Sequence, residues 1–263
     1  MQPTGHSRHR ETSIDGRRVC WSESGAGGKP LILVHGWSCD RTVWREQMQD
    51  LSHNYHTIAL DLPGHGRSEA PVAGVFSLDL FVEALEAVRS ATEADRLVLV
   101  GHSLGTAIAL RYLKRYRERV AALVFVEGIV SRHRSPRLPL ELLMGESRRD
   151  TFEKIIRAAL FSVSTTPEIA AHILDMMLGA PEATFHGVAK AMTDSAEWDE
   201  HATQLPILGL YRDRSRLMDW KMARTRFPAL EYSEIPETGH FLMLEKPQPF
   251  NRMLSEFLDK QAF

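Results

Sequence analysis

A serine stands between two glycines at the point where a predicted strand meets a predicted helix. The motif reads Gly-His-Ser-Leu-Gly over residues 101–105 and follows the apolar run 97–100. A sharp strand-to-helix turn strains the serine backbone, and side chains two positions away on either side would collide with neighbouring backbone. Such a turn would hold the Ser103 hydroxyl above the sheet at a helix N-terminus, where negative charge is favoured. The alternative is a Gly-Ser turn that only caps a helix.

Short apolar runs alternate with helical periodicity along most of the chain, which is typical of a parallel sheet with crossover helices. The runs predict strands at residues 19–24, 31–34, 55–60, 97–100, 121–126, 206–211 and 230–235. Apolar positions at helical spacing predict helices over 77–89, 103–116 and 247–258. A chain of 263 residues is long enough for one α/β domain with its own core.

Residues 128–203 follow a different pattern, rich in Met and Leu and without a convincing strand. Helical spacing is clearest over 152–161 and 168–178, and the segment is too long for a plain loop. We therefore predict a core made of residues 1–127 and 204–263, with residues 128–203 as a helical cap. The following large apolar side chains would form the interior of this cap or line a pocket beneath it: Met144, Phe152, Phe161, Met176, Met177, Phe185, Met192 and Trp198.

Composition restricts the partners of the chain. A formal net charge of −2 favours neither nucleic acid nor an anionic membrane, and no apolar run approaches the about 18 residues of a membrane span. Residues 1–10 are polar and basic, so we expect a frayed start rather than a secretory signal. Cys20 and Cys39 lack metal-site spacing and are expected to be reduced. These features favour a cytoplasmic protein that acts on a small molecule, and a homodimer is compatible with them.

Two further segments carry groups that would complement the serine. His35-Gly36-Trp37 follows the strand at 31–34, and the backbone N–H of Trp37 could join that of Leu104 to form an oxyanion hole. His240 follows the last predicted strand and a glycine. A histidine at this place suits a general base, because its ordinary pKa lies near neutrality. The alternative for the first segment is a plain turn between a strand and a helix.

Four motifs occur in order, each after a predicted strand: HGW at 35–37, DLPGHGRS at 61–68, GHSLG at 101–105 and TGHF at 238–241. Together they resemble the capped serine-hydrolase branch of the α/β-hydrolase superfamily. The resemblance implies a mostly parallel central sheet with helices on both faces and a helical cap insertion. It also implies Ser103 as nucleophile, His240 as base, and no metal or organic cofactor.

The acidic partner of His240 has two candidates. The usual acid of the superfamily follows the strand at 206–211, but its position falls near Ser215, and Asp213 comes early. Glu127 follows the strand at 121–126. Certain haloalkane dehalogenases, zearalenone-type lactonases and cofactor-free quinolone dioxygenases carry the acid at that place, and this similarity favours Glu127. Asp213 stays the alternative.

Three functions are compatible with these residues. The leading one is hydrolysis of a carboxylic ester or lactone of a small apolar or aromatic substrate through an acyl-enzyme. The second is cofactor-independent dioxygenation of a hydroxylated heteroaromatic ring, because Gly36-Trp37 is similar to the corresponding residues of those dioxygenases. The third is a hydrolase-like receptor that binds a small molecule without turnover. A serine at position 103 argues against haloalkane dehalogenation, which requires a carboxylate there.

Overall fold

A computed structural model of the protein describes residues 7–25, 28–130, 148–193 and 202–261. These residues contain one eight-stranded sheet with the order β1-β2-β4-β3-β5-β6-β7-β8. The strands in chain order are Arg8–Ile14 (β1), Arg17–Ser24 (β2), Lys29–Val34 (β3), Tyr55–Leu60 (β4), Leu97–His102 (β5), Val120–Val126 (β6), Ile207–Arg212 (β7) and Leu230–Ile235 (β8). Pairing is antiparallel from β1 to β2 and from β2 to β4, and parallel across the rest of the sheet. The predicted mostly parallel α/β architecture is therefore confirmed.

The α-helices of the described residues are Arg45–Leu51 (α1), Leu78–Ala91 (α2), Leu104–Arg115 (α3), Arg148–Ala159 (α4), Pro167–Gly179 (α5), Glu182–Thr193 (α6), Trp220–Arg226 (α7), Leu242–Glu245 (α8) and Pro247–Asp259 (α9). Local sequence explains where several begin. The Ser77 hydroxyl accepts the Leu80 N–H and caps α2, while Thr166 caps α5 immediately before Pro167. No helix in the described ranges is long and apolar enough to cross a membrane.

The start of the chain departs from expectation. Residues 8–10 belong to β1 and pair with β2, so the prediction of a frayed start is wrong for them. Asp15 and Gly16 form the two-residue turn between these strands, and both have positive φ, 48° and 73°. An Asp-Gly pair is the sequence expected of such a tight hairpin turn. The strand escaped prediction because its exposed edge position leaves it without an apolar pattern.

The centre of the sheet explains why its strands read as continuous apolar runs. Every residue of β5 and β6 is buried, as expected for parallel strands covered on both faces. Because β3, β5, β6, β7 and β8 are parallel, their carboxyl ends lie at one edge of the sheet. The residues directly after three of them are His35, Ser103 and Glu127. The topology therefore gathers chemically active side chains at this edge.

Helices α4, α5 and α6 lie between β6 and β7 in the chain. Phe152, Ile156, Ile173 and Phe185 are buried and belong to the same hydrophobic cluster as the sheet residues. Met177 and Met192 are also buried, whereas Met176 and Phe161 are partly buried against the cluster. Met144 and Trp198 lie outside the described residues. The division into a core and a cap at 128–203 stays a prediction.

Candidate active site

Ser103 occupies a strained turn between β5 and α3. Its φ of 52° and ψ of −116° are unusual for a residue other than glycine, and such conformations typically cost about 1–3 kcal/mol. The Ser103 N–H donates to the Val126 carbonyl oxygen at 3.0 Å, which fixes the turn against β6. A Cβ at Gly101 would lie 2.4 Å from the Gly105 oxygen, and one at Gly105 would lie 2.3 Å from the Val34 oxygen. Both glycines are therefore required by close backbone approach.

The loop after β3 lies against this turn. A Cβ at Gly36 would lie 3.1 Å from the Ser103 Cβ. His35 is fully buried beneath the loop; its Nε2 accepts the Leu62 N–H at 3.0 Å, so its Nδ1–H donates to the Gly36 oxygen at 2.8 Å. Burial lowers the pKa of His35, which keeps it neutral in this arrangement. His35 thus fixes the loop that carries Trp37 close to Ser103.

Trp37 and Leu104 contribute the backbone N–H groups predicted to form the oxyanion hole. Leu104 is the first residue of α3, and the first N–H groups of a helix have no partner within it. Trp37 is anchored by its side chain, because its indole Nε1–H donates to the Phe185 oxygen at 3.0 Å. Its ring also packs at 5.5 Å from that of Phe152 and 4.5 Å from that of Phe185. The oxyanion role of the two N–H groups stays a prediction.

Glu127 and His240 meet at the carboxyl edge of the sheet. The Glu127 Oε2 atom lies 3.4 Å from the His240 Nδ1 atom. Glu127 is fully buried and has a φ of 45°, and its N–H donates to the Leu210 oxygen at 3.0 Å. These backbone constraints direct the buried carboxylate toward the histidine that follows β8.

Asp213, the other acid candidate, lies on the surface. Its Oδ1 atom accepts the Glu237 N–H at 3.3 Å. Within the described ranges, its contacts include no hydrogen bond or ion pair to His240. Of the two candidate carboxylates, the structure therefore brings only Glu127 to the histidine.

Arg212 is a part of the site that sequence reasoning missed. Its backbone N–H donates to Glu127 Oε1 at 3.1 Å, and its Nε atom lies 3.5 Å from Oε2. A second guanidinium nitrogen donates to the Ala159 oxygen at 3.3 Å, at the end of α4. The buried charge of Glu127 is thus paired, as a carboxylate out of water requires. Burial, together with this charge, raises the pKa of the neighbouring Tyr211.

His102 is a second residue whose role the sequence did not reveal. Its Nε2–H donates to the His240 carbonyl oxygen at 2.9 Å, and the two imidazole rings are 4.7 Å apart. Burial, with a smaller effect of the nearby His240, lowers the pKa of His102 well below its ordinary value. A neutral histidine next to Ser103 therefore anchors the backbone of His240. No group of three or more metal-ligating side chains that could hold a metal ion occurs in the described residues.

A family model for the α/β hydrolase fold matches residues 29–173. The match covers more than half of the 263 residues, so the chain belongs to this family. Strands β3 to β6 and the serine turn lie within the matched residues, and the histidine loop lies beyond them.

Several known proteins are similar to most of the chain. The 2-hydroxy-6-oxononadienedioate/2-hydroxy-6-oxononatrienedioate hydrolase of Paraburkholderia phymatum is 26% identical over 261 residues, covering 92% of this chain and 91% of the relative. A thermophilic esterase from Thermogutta terrifontis has a TM-score of 0.83 at 25% identity, with 96% of this chain and 98% of the esterase covered. The N-acyl homoserine lactone-degrading enzyme Est816 shares the fold, with a TM-score of 0.81 at 23% identity and 94% and 100% coverage. The relatives, the fold and the site together define an α/β-hydrolase enzyme.

Proposed function

We propose that this enzyme is a serine hydrolase that cleaves a carboxylic ester or lactone of a small apolar or aromatic substrate. One observation carries the proposal: a buried carboxylate, Glu127, lies 3.4 Å from His240 Nδ1 at the same sheet edge as the strained Ser103. A carboxylate in that position holds the imidazole in the tautomer whose Nε2 can take a proton. A serine hydroxyl is a weak nucleophile until a base does so.

The proposed reaction has two halves. Ser103 Oγ attacks the carbonyl carbon while His240 Nε2 accepts the hydroxyl proton, and the N–H groups of Trp37 and Leu104 hold the oxyanion. Collapse of the tetrahedral species breaks the carbon–oxygen bond, and the leaving alkoxide takes the proton from His240. A water molecule then attacks the acyl-Ser103 ester while His240 Nε2 accepts its proton. When the bond between the acyl carbon and Ser103 Oγ breaks, His240 gives that proton to Ser103 Oγ, and the acid is released.

The character of the substrate follows from the side chains around the proposed oxyanion loop. Trp37 packs on Phe152 and Phe185, so the elements after β6 place an aromatic surface against the loop that carries Trp37. Such surface favours an apolar or aromatic acyl or alcohol group. An esterase and a lactone-degrading enzyme among the similar structures support the two substrate classes.

Replacement of Ser103 by alanine tests the proposal. Turnover of a series of p-nitrophenyl esters and simple lactones should fall toward background in Ser103→Ala, because loss of the serine of a related triad costs about 10⁶-fold. Ser90→Ala changes an exposed serine and should keep wild-type rates, which makes it the matched control. Retained turnover in Ser103→Ala would contradict the mechanism.

Oxygen uptake separates the dioxygenase alternative from hydrolysis. An oxygen electrode with hydroxylated quinolones should record no consumption by the wild-type enzyme, and headspace analysis should find no carbon monoxide. Oxygen consumption that survives Ser103→Ala would favour the dioxygenase. Saturable binding of a small molecule without any turnover would favour a receptor.

A further inference from the structure

The loop that carries His240 is bonded to the segment that follows α4. The His240 N–H donates to the Leu160 oxygen at 2.8 Å. On the adjoining side, Ser162 and Thr165 donate their hydroxyls to the Glu245 carboxylate at 3.0 and 2.6 Å. Residues 160–165 lie within the predicted cap, so the backbone of the proposed base is hydrogen-bonded directly to a cap segment.

Glu245 accepts a third hydrogen bond from the histidine loop itself. Its Oε2 atom accepts the Gly239 N–H at 2.5 Å, one residue before the proposed base. Glu245 is buried, at 9% exposure, and the neighbouring Lys246 pairs with Glu237 instead. No lysine or arginine within the described ranges forms an ion pair with Glu245. A buried carboxylate without a cation is costly unless its oxygens accept hydrogen bonds, and this one uses them to join two segments.

Gly239 shows how tightly the two segments are joined. A Cβ at this position would lie 2.2 Å from the Leu160 oxygen and 2.9 Å from the Glu245 Oε1 atom. The loop therefore has no room to shift toward residues 160–165, and the hydrogen bonds to Glu245 and Leu160 keep it from moving away. The backbone position of His240 depends on these contacts as well as on the end of β8 and on the hydrogen bond from His102.

We propose that Glu245 is a positioning residue, which holds the Gly239-His240 backbone against residues 160–165 and thereby keeps the His240 imidazole aligned with Glu127. The inference rests on the proposed serine-hydrolase function. The 3.4 Å separation of His240 Nδ1 and Glu127 Oε2 is already at the long end of a hydrogen bond. A displacement of about 1 Å at a reacting group costs about 100-fold in rate, so a small relaxation of the loop is enough to impair catalysis.

The donor pattern around Glu245 makes glutamine a matched conservative variant. Gly239 N–H and the Ser162 hydroxyl both use Oε2, so the single amide oxygen of Glu245→Gln can serve both. The amide nitrogen then faces the Thr165 hydroxyl, which can accept a hydrogen bond. Glu245→Ala leaves the Gly239 N–H and the Thr165 hydroxyl without their acceptor, while the Ser162 hydroxyl keeps the Glu237 oxygen at 3.2 Å.

Steady-state kinetics of the two variants, measured where circular dichroism shows both folded, test the proposal. For Glu245→Ala we expect kcat to fall about 100-fold with KM little changed, and for Glu245→Gln we expect recovery of most of the rate. The control Glu234→Ala removes an exposed carboxylate at the end of β8 and should match wild type. Wild-type kcat in Glu245→Ala, equal impairment of Glu245→Gln, or an effect confined to KM would each overturn the proposal.

A spectroscopic readout makes the inference independent of turnover. The Nδ1–H proton of a histidine that is hydrogen-bonded to a buried carboxylate gives a low-field NMR signal, assigned here by its absence in His240→Gln. We expect this signal in wild type and Glu245→Gln, and its loss in Glu245→Ala. Persistence of the signal in Glu245→Ala would overturn the positioning role, whether or not the enzyme hydrolyses esters. If the wild-type enzyme shows no esterase activity but Glu245→Ala still loses the signal, only the proposed function is refuted.

Thr165→Val provides a second variant in case Glu245→Ala does not fold. It removes one hydrogen-bond donor to Glu245 and should weaken the same signal. An unchanged signal in Thr165→Val would count against the proposal.

Discussion

Replacement of Glu127 by glutamine removes a buried charge and one hydrogen-bond acceptor. Three donors surround this carboxylate: the Arg212 N–H on Oε1, and His240 Nδ1 and Arg212 Nε near Oε2. An amide offers only one oxygen, so in either orientation its NH₂ group faces a donor. His240 can avoid that conflict by moving its proton to Nε2, but in this tautomer it cannot accept the Ser103 proton.

The distance in the structure sets the expected size of the effect. A carboxylate and an imidazolium 3.4 Å apart attract each other by about 5 kcal/mol at an effective dielectric constant of about 20. At about 1.4 kcal/mol for each tenfold in rate, this corresponds to a loss of about 4,000-fold. The equivalent acid-to-amide change in a serine protease triad costs about 10⁴-fold. We therefore expect kcat of Glu127→Gln to fall by about 10³- to 10⁴-fold.

Initial rates with p-nitrophenyl butyrate give the measurement, with Asp213→Asn as the matched control. Asp213 is exposed and, among the residues that the structure describes, its side chain accepts the Glu237 N–H alone, so Asp213→Asn should retain nearly the wild-type rate. Circular dichroism should show both variants folded at the assay temperature. Collapse of Asp213→Asn together with an active Glu127→Gln would refute the assignment of the acid.

Two further predictions concern stability. Burial lowers the pKa of His65 from 6.5 to about 3. Between these pH values His65 binds a proton in the unfolded chain but not in the folded protein. The stability that is fully present above pH 6.5 is therefore lost as the pH falls. His65→Asn can keep a donor near the Pro63 oxygen. Between pH 7 and pH 5 its free energy of unfolding should fall by about 2 kcal/mol less than that of wild type. Urea unfolding that gives the same fall for both proteins would contradict this. Trp37→Phe leaves the Phe185 oxygen without its indole donor and should lower the free energy of unfolding by about 1–3 kcal/mol. Undiminished stability in urea unfolding would count against the anchor.

Local patterns were sufficient to predict most of the sheet and the serine turn. The strands predicted from apolar runs coincide with β2 to β8 within a residue or two at most of their ends. The signal is clearest for β5 and β6, because parallel strands buried on both faces are apolar throughout. The glycines at 101 and 105 identified the turn, since a Cβ at either position meets backbone. Exposed β1 and the short helices α1, α7 and α8 carry little periodic signal, and they were missed.

The partners of His240 were harder to predict because they depend on contacts between distant segments. Glu127 and Asp213 follow neighbouring strands, and only the folded arrangement decides which one reaches the histidine. Arg212 approaches Glu127 across the same strand pair. His102 binds the backbone of His240, 138 positions further along the chain. No local spacing encodes these distances.

Detection of an acyl-enzyme on Ser103 tests the central claim most directly. The enzyme is mixed rapidly with p-nitrophenyl butyrate, quenched in acid within the first turnovers, digested and analysed by mass spectrometry. We predict one butyryl group on the peptide that contains Ser103, and none in Ser103→Ala. Ester turnover with no adduct on Ser103, or with the adduct on another residue, would contradict the account.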